Sequence, residues 1–290
     1  MALAPLWFLL FLVSIGDARP EHYIITALLT GLAVGSVATR RLLLAAAPGI
    51  AIAFGYEVIR YLRPLFVTAD RVLGCEVRAV EQALFGFGTG ATPADLFSVY
   101  NSPAADLFFA LPYSLFWAVV VVYAVVLFFR NRAGMHRYLW VLALTHAVAF
   151  VIWMWLPVAP PWYVRAYGCL IDPEARPAAA ALARIDARFG ITYFAEFYSR
   201  APTVFGAMPS LHVSFPAAAL AAAWHSARAP ERAVHLGLTV WMLVASVYLD
   251  HHWLVDGVLT LIIVATVYAL LRRFWPGFDQ APPFRAGPPA

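Results

Sequence analysis

Eight stretches of this chain are too long and too apolar for water to be their solvent. They are Leu3–Ile15, Tyr23–Thr39, Leu42–Leu62, Leu107–Phe129, Tyr138–Leu156, His212–His225, Val234–Leu249 and Trp253–Leu271. A helix needs roughly 20 apolar residues to cross a bilayer, with a range of about 17–25. None of the runs alternates polar with apolar residues, as a membrane β-barrel requires. Composition excludes the other classes. Of 290 residues, 12% are charged and 63% hydrophobic, against about 25% charged in a soluble domain. So little charge cannot cover a water-exposed surface, and so apolar a chain does not stay disordered. The expected fold class is an all-α polytopic membrane protein.

The basic residues predict how it sits. Arg40-Arg41, then Arg130, Arg132 and Arg137, then Arg228 and Arg232, then Arg272-Arg273 all fall in short connections. If spans alternate, all four clusters share one side, which the positive-inside rule makes the cytoplasm. The long connections Arg63–Asp106 and Pro157–Ser210, and the short Asp250–His252, then face outward. The net charge of +4 is therefore read as topology and not as a nucleic-acid footprint. Every Lys+Arg position is arginine, and with the wealth of Ala and Pro this points to a GC-rich bacterial source. A bacterial cytoplasmic membrane is the expected location. The first run lacks a basic n-region and a clear cleavage site, so a retained membrane segment is favoured over a signal peptide. Pro48-Gly49 is expected to break the third run, with Glu57 and Arg60 keeping its lower half away from lipid.

The outward connections carry both cysteines, Cys75 and Cys169. In an oxidising space they form one disulfide or remain two separate thiols. Ala69–Leu84 and Ala178–Phe189 show helical apolar spacing with charges between, the pattern of interfacial amphipathic helices. Asp70, Arg71, Glu76, Arg78 and Glu81 form the polar side of the first, and Arg184, Asp186 and Arg188 that of the second. The Pro- and Gly-rich tail from Pro276 reads as disordered. The predicted organisation is N-terminal membrane segments over 1–41, one catalytic membrane domain over 42–275, and a cytoplasmic tail over 276–290.

Ionisable groups at membrane-helix ends are functional candidates by default. Three groups share the outer side: Pro209-Ser210-Leu211-His212, Asp250-His251-His252-Trp253-Leu254-Val255-Asp256, and the Ala159-Pro160-Pro161-Trp162 turn. His252 and Asp256 are four apart and stack on one helix face. A carboxylate there accepts from one ring nitrogen, fixes the tautomer and leaves the other nitrogen free to attack. His212 approaches from another helix. Two histidines with one buttressing Asp suit phosphoryl transfer, one attacking phosphorus and the other protonating the leaving alkoxide. Ser210, ahead of a helix N-terminus, suits a phosphate oxygen. A His-His-x3-Asp metal site is the alternative, but it needs a further ligand such as His212, and no zinc-protease motif is present. No metal or cofactor is therefore expected. His146 reads as a packing residue, and His136, His225 and His235 as interfacial.

Gly206-Ala207-Met208-Pro209-Ser210-Leu211-His212 followed by Tyr248-Leu249-Asp250-His251-His252-Trp253-Leu254-Val255-Asp256 resembles the two C-terminal signature motifs of the type 2 phosphatidic acid phosphatase superfamily. The likeness is closest to its inositol phosphorylceramide synthase branch. Ala159-Pro160-Pro161-Trp162-Tyr163 resembles that branch's Pro-Pro-Trp segment, and Pro103-Ala104-Ala105-Asp106 with Leu111-Pro112-Tyr113 its segment ahead of the middle span. The likeness covers about residues 56 to 271. It implies a six-helix core with one or two extra N-terminal helices, His252 as the nucleophile oriented by Asp256, His212 as acid/base and Ser210 at the phosphate.

Two departures matter. General phosphatases of the superfamily carry Lys-x6-Arg-Pro; here Arg63-Pro64 survives, but Tyr56 stands seven before Arg63. They also carry an arginine six before the nucleophile, where this chain has Ser246. The sphingolipid-synthase branches look this way too, so a transferase is favoured. Phosphate charge then falls to Arg60, Arg63, Arg165 or Arg200, with His251 beside the site. The expected reaction moves a phospholipid head group, phosphoinositol by resemblance, to the hydroxyl of a ceramide or diacylglycerol. A phosphatase of the same fold and a non-enzymatic lipid transporter or scaffold are the competing readings, and sequence is silent on oligomeric state.

Overall fold

A computed structural model describes residues 3–88 and 90–280. Its described residues form thirteen α-helices and no strand beyond isolated bridges. In chain order they are α1 (Leu3–Ser14), α2 (Pro20–Gly35), α3 (Val37–Phe66), α4 (Cys75–Phe85), α5 (Pro93–Val99), α6 (Pro103–Arg130), α7 (Arg132–Trp155), α8 (Pro161–Tyr167), α9 (Ala183–Phe189), α10 (Tyr193–Ser199), α11 (Leu211–Ala223), α12 (Ala229–Tyr248) and α13 (Leu254–Phe274). All eight apolar runs became helices. Four of them, α3, α6, α7 and α13, are long and apolar enough to cross a bilayer. Large apolar side chains such as Val119, Val121, Val122, Val125 and Val126 of α6 stand exposed. Such a surface suits lipid and not water.

Three of the four spanning helices start where the sequence offers a capping side chain. Ser36 accepts from Thr39 N at 3.1 Å, Ser102 from Ala105 N at 3.2 Å, and Asn131 from Gly134 N at 2.9 Å, so α3, α6 and α7 begin with a satisfied donor. The expected break at Pro48-Gly49 does not occur. α3 continues through Pro48, which is buried, because a proline costs one intrahelical bond and packing against neighbouring helices offsets it. At 30 residues, and about 1.5 Å per residue, α3 overreaches the hydrocarbon core and carries Glu57, Arg60 and Arg63 beyond it.

α11 is short because it is the hub. Leu211, Val213, Ser214, Phe215, Ala217, Ala218, Ala219 and Ala222 are all buried among α6, α7, α12 and α13. Its small residues let those helices approach closely. At one end of the bundle, buried Arg137 of α7 donates to Ala222 O at 3.1 Å and Ser226 Oγ at 3.2 Å and faces Asp279 at 3.7 Å. Thus the start of the tail is ordered, not loose: 276–280 turn back, and Phe278 is buried against the bundle. The rest of the expected disordered tail, 281–290, lies outside the described residues.

At the other end the loops build a second small core. Leu73 N donates to Pro157 O, Ala159 N to Leu73 O, Val158 N to Phe205 O and Ala207 N to Val158 O, at 2.9–3.2 Å. These bonds lash the segments around 73, 158 and 206 side by side, with Val158, Ala159 and Phe205 fully buried. Gly206 packs tightly there: a Cβ would sit 3.0 Å from the Trp153 ring, which would have to give way by a few tenths of an ångström. The helix expected over Ala69–Leu84 forms only from Cys75, since Leu73 is taken up by this ladder. Ala178–Phe189 forms a 3₁₀ turn, Ala180–Leu182, followed by α9. Asp186 faces inward, not to solvent, and accepts from Phe194 N and Ala195 N at 3.1 and 2.9 Å.

Cys75, at the start of α4, is bonded to Cys169 beyond α8, with Cα atoms 5.5 Å apart. The bond closes a 94-residue separation, and restricting the unfolded chain over such a loop contributes about 2–4 kcal/mol. Cys75→Ser should lower the thermal midpoint of the detergent-purified protein by several degrees. Dithiothreitol should lower the wild type alike and leave the variant unmoved.

Candidate active site

The lashed loops set the ring of one histidine. His252 lies in the connection between α12 and α13, where both His251 N and His252 N donate to Ser246 O at 3.2 and 3.1 Å. The connection turns through Asp250, whose φ of +69° is a left-handed conformation that Asp tolerates better than most residues. Asp250 is held by a close ion pair with Arg165. The His252 ring sits with Nδ1 2.7 Å from Ala207 O. A carbonyl only accepts, so Nδ1 carries the proton and Nε2 presents its lone pair. Nε2 faces Nδ1 of His212, 3.3 Å away, at the first turn of α11. The two rings come from sequence positions 40 apart.

Asp256 does not take the ring bond expected of it. Its Oδ2 lies 3.6 Å from His252 Nδ1 and instead accepts from Trp253 N at 2.8 Å. It caps the helix and supplies negative charge behind the imidazole, while the carbonyl of Ala207 fixes the tautomer. Glu81 of α4, read from sequence as part of a solvated face, is fully buried. Its carboxylate oxygens accept from Leu254 N and Val255 N at 2.8 and 2.9 Å. With Trp253, three consecutive N–H groups at the start of α13 are thus met by two carboxylates. The place of Glu81 four residues after Val77, on the face of α4 that is buried, was the available signal. Sequence spacing alone gives no reason to pair it with residues about 170 positions on.

Aromatic rings wall the site. Tyr113 stacks on His212 with centroids 4.0 Å apart and on His251 at 5.5 Å, and Tyr198 stacks on the other side of His251 at 4.3 Å. Burial and the neighbouring His252 hold His251 down to about 3, so it is neutral at physiological pH and serves as a ring in this stack. Burial pushes Asp250 up to about 6 even with Arg165 against it.

His212, His251 and His252 open into a cavity of about 520 Å³. Tyr56, Phe116, Trp117, Trp153 and Phe215 line its apolar part, and Arg19, Glu57, Arg60 and Arg200 its polar mouth. Arg19 Nη2 donates to Glu57 Oε1 at 2.8 Å, Arg60 Nε to Glu57 Oε2 at 3.3 Å, and Arg60 Nη2 to Arg200 O at 2.8 Å. Two guanidiniums, those of Arg19 and Arg60, meet the Glu57 carboxylate, and the Arg200 guanidinium lies 3.8 Å from Glu21, so three arginines against two glutamates leave the mouth net cationic.

The other predicted residues are elsewhere. Arg165 lines a separate outer cavity of about 410 Å³ with Arg184, Tyr248 and Asp250, and its charge is met by Asp250 and Asp95. Arg63 binds Pro173 O at 3.2 Å and Glu174 at 3.7 Å, outside the histidine cavity. Ser210 is fully buried, its Oγ without a partner and away from the cavity lining. Ser246 is also fully buried. Arg19, from the α1–α2 connection, was overlooked because it lies far from every motif. His146 Nδ1 donates to Leu142 O of its own helix, 2.9 Å away. No group of three or more His, Cys, Asp or Glu side chains among the described residues is arranged to hold a metal.

The family model of the PAP2 superfamily matches residues 76–270, which takes in both histidine-bearing segments. The chain belongs to the PAP2 superfamily. It is similar to the phosphoinositol dihydroceramide synthase of Bacteroides thetaiotaomicron, 28% identical over 268 residues, 87% of this chain and 84% of the relative. The inositol phosphorylceramide synthase catalytic subunit of Schizosaccharomyces pombe is 38% identical over 129 residues, 42% of this chain and 30% of the relative. That of Saccharomyces cerevisiae is 28% identical over 184 residues, 61% of this chain and 44% of the relative. No solved structure matches. With its apolar spanning helices, this PAP2-superfamily chain is an integral membrane enzyme, a phosphotransferase that acts on lipids.

Within that family setting the two sets of arginines separate by measurement. Arg60→Ala or Arg200→Ala, at the cavity mouth, should raise the KM for an anionic phospholipid about 3- to 10-fold, the loss of one partly screened charge contact, with kcat little changed. Arg165→Ala should leave KM alone and lower the thermal midpoint, because it strands Asp250.

Proposed function

We propose that this enzyme transfers phosphoinositol from a glycerophospholipid to the primary hydroxyl of a ceramide or dihydroceramide through a phosphohistidine at Nε2 of His252. The observation that carries this reading is the His212–His252 pair, 3.3 Å apart at the floor of a cavity that is cationic at the mouth and aromatic within. The activities named for the bacterial and fungal relatives supply the head group and the acceptor.

The donor phosphorus enters between the two rings. Nε2 of His252 attacks, the Nε2–P bond forms, and the P–O bond to diacylglycerol breaks. His212, protonated for this step, gives its proton to the departing alkoxide oxygen, which leaves as the diacylglycerol hydroxyl. The acceptor hydroxyl then occupies the vacated place and loses its proton to His212. Its oxygen bonds to phosphorus as the Nε2–P bond breaks, regenerating both histidines. Asp256 behind His252 favours the positive charge on the phosphorylated ring, and Arg60 and Arg200 favour the phosphate's negative charge. The aromatic portion of the cavity takes the acyl and sphingoid chains.

The arginine clusters at the Arg137 end favour a cytoplasmic location for that end. The histidines then work at the outer face of the cytoplasmic membrane, and the Cys75–Cys169 disulfide, on the same side, fits an oxidising exterior. We take residues 42–275 as the catalytic unit and 1–41 as an added membrane hairpin, although its Arg19 reaches the cavity mouth.

Hydrolysis of a lipid phosphate by the same pair of histidines is the second reading, favoured by the polar mouth. The assay that separates them supplies labelled phosphatidylinositol to purified protein with and without ceramide. An inositol-phosphate lipid formed only with ceramide supports transfer; inositol phosphate released without it supports hydrolysis. His252→Ala should lower turnover by at least about 1,000-fold while the protein elutes as a folded species. Normal turnover in that variant would overturn the mechanism.

A further inference from the structure

Glu81 is a buried acid that the reaction scheme does not use. It is fully buried, yet it belongs to α4, an outer helix rooted at the Cys75–Cys169 bond, and not to the helical bundle. Both of its carboxylate oxygens are spent on α13, one on Leu254 N and one on Val255 N. Because both oxygens accept, the bound form is the carboxylate; a protonated acid would turn an O–H toward an N–H. Burial, and to a lesser extent the nearby Asp256, holds its pKa above the usual carboxylate range, and the two N–H bonds offset only part of that. An isolated carboxylate in such a place is costly, and a cap on a surface helix needs only a Ser or Asp of its own. Here the helix already has its own cap in Asp256, on Trp253 N.

What the second carboxylate secures is position. His252 directly precedes Trp253, and its ring must point Nε2 at the cavity while Nδ1 stays 2.7 Å from Ala207 O. Ala207 belongs to the lashed loop segments, whereas His252 directly precedes the N-cap of α13. The first turn of α13 is therefore the joint between them. Trp253 ties it on one side through Nε1–H to Ala159 O at 2.9 Å, and Glu81 ties it on the other.

We propose that Glu81 is a positioning residue of the transferase: its carboxylate pins the first turn of α13 to the outer loops and so holds His252 Nε2 in line with the donor phosphorus. This rests on the reading of His252 as nucleophile. The pin acts on the transition state and not on lipid capture, because Glu81 lies outside the cavity lining.

The test is Glu81→Gln, which keeps the shape but sets an amide N–H₂ against one of the two N–H groups. The donor is labelled phosphatidylinositol and the acceptor a short-chain ceramide, with rates taken per folded enzyme after size exclusion. The expected result is a kcat lower by about 10- to 100-fold with the KM of both substrates within about twofold. Val267→Ala, a core truncation in the middle of α13, serves as a control that loses stability and should keep its kcat. Should Glu81→Gln not fold, Glu81→Asp, whose shorter arm reaches one N–H at best, carries the same readout. Wild-type kcat in a folded Glu81→Gln or Glu81→Asp, or a fall matched by Val267→Ala, overturns the role assigned to Glu81. His252→Ala is run beside them. If it turns over normally, the reading of the site fails whatever Glu81 does; if it is inactive while Glu81→Gln is normal, only the Glu81 proposal fails.

Discussion

A polar backbone at membrane depth must find its partners inside the protein, and the start of α13 shows how much of this molecule is arranged around that demand. Trp253, Leu254 and Val255 each have an N–H with no carbonyl four residues back. Asp256 meets the first, Glu81 the other two. Filling those donors with carboxylates has a chemical result as well as a structural one. The α13 end has no free N–H among its first three to offer an anion, and negative charge stands behind His252, as the proposed phosphohistidine would require.

The same economy fixes the tautomer. Ala207 offers its O to the His252 ring while its N is engaged with Val158 O, which aligns that segment with its neighbours. A backbone carbonyl in a lashed loop is a stiffer reference than a side chain. Asp256, 3.6 Å from the ring, is left to act through charge.

Much of this was legible in the sequence. Apolar length is a one-dimensional property, so all eight runs surfaced as helices, and His212 and His252 stood out because ionisable groups are rare at such depths. His252 and Asp256 were expected on one helix face, but His252 lies just ahead of the cap of α13, and its ring bond goes to another acceptor, since a main-chain carbonyl leaves no mark in a sequence. Arg165 and Arg63 looked suitable by proximity to motifs, while Arg19, remote from every motif, lines the cavity. Which arginine faces a ligand depends on which carboxylates it meets first, and that is a long-range property. Glu81 was misread for the same reason: amphipathic spacing tells which side of a helix is apolar, not which charge a neighbouring helix end will claim.

The buried guanidinium of Arg137 has a mechanical meaning. It ties α7 to the end of α11 and to the turn beyond α13, so three helices are stapled together at the end away from the histidines. The rings of His212 and His252, at the opposite end, rest 3.3 Å from each other. With the Arg137 end of the bundle clamped, α11 and the turn beyond α13 are held most firmly there and least directly at the histidines.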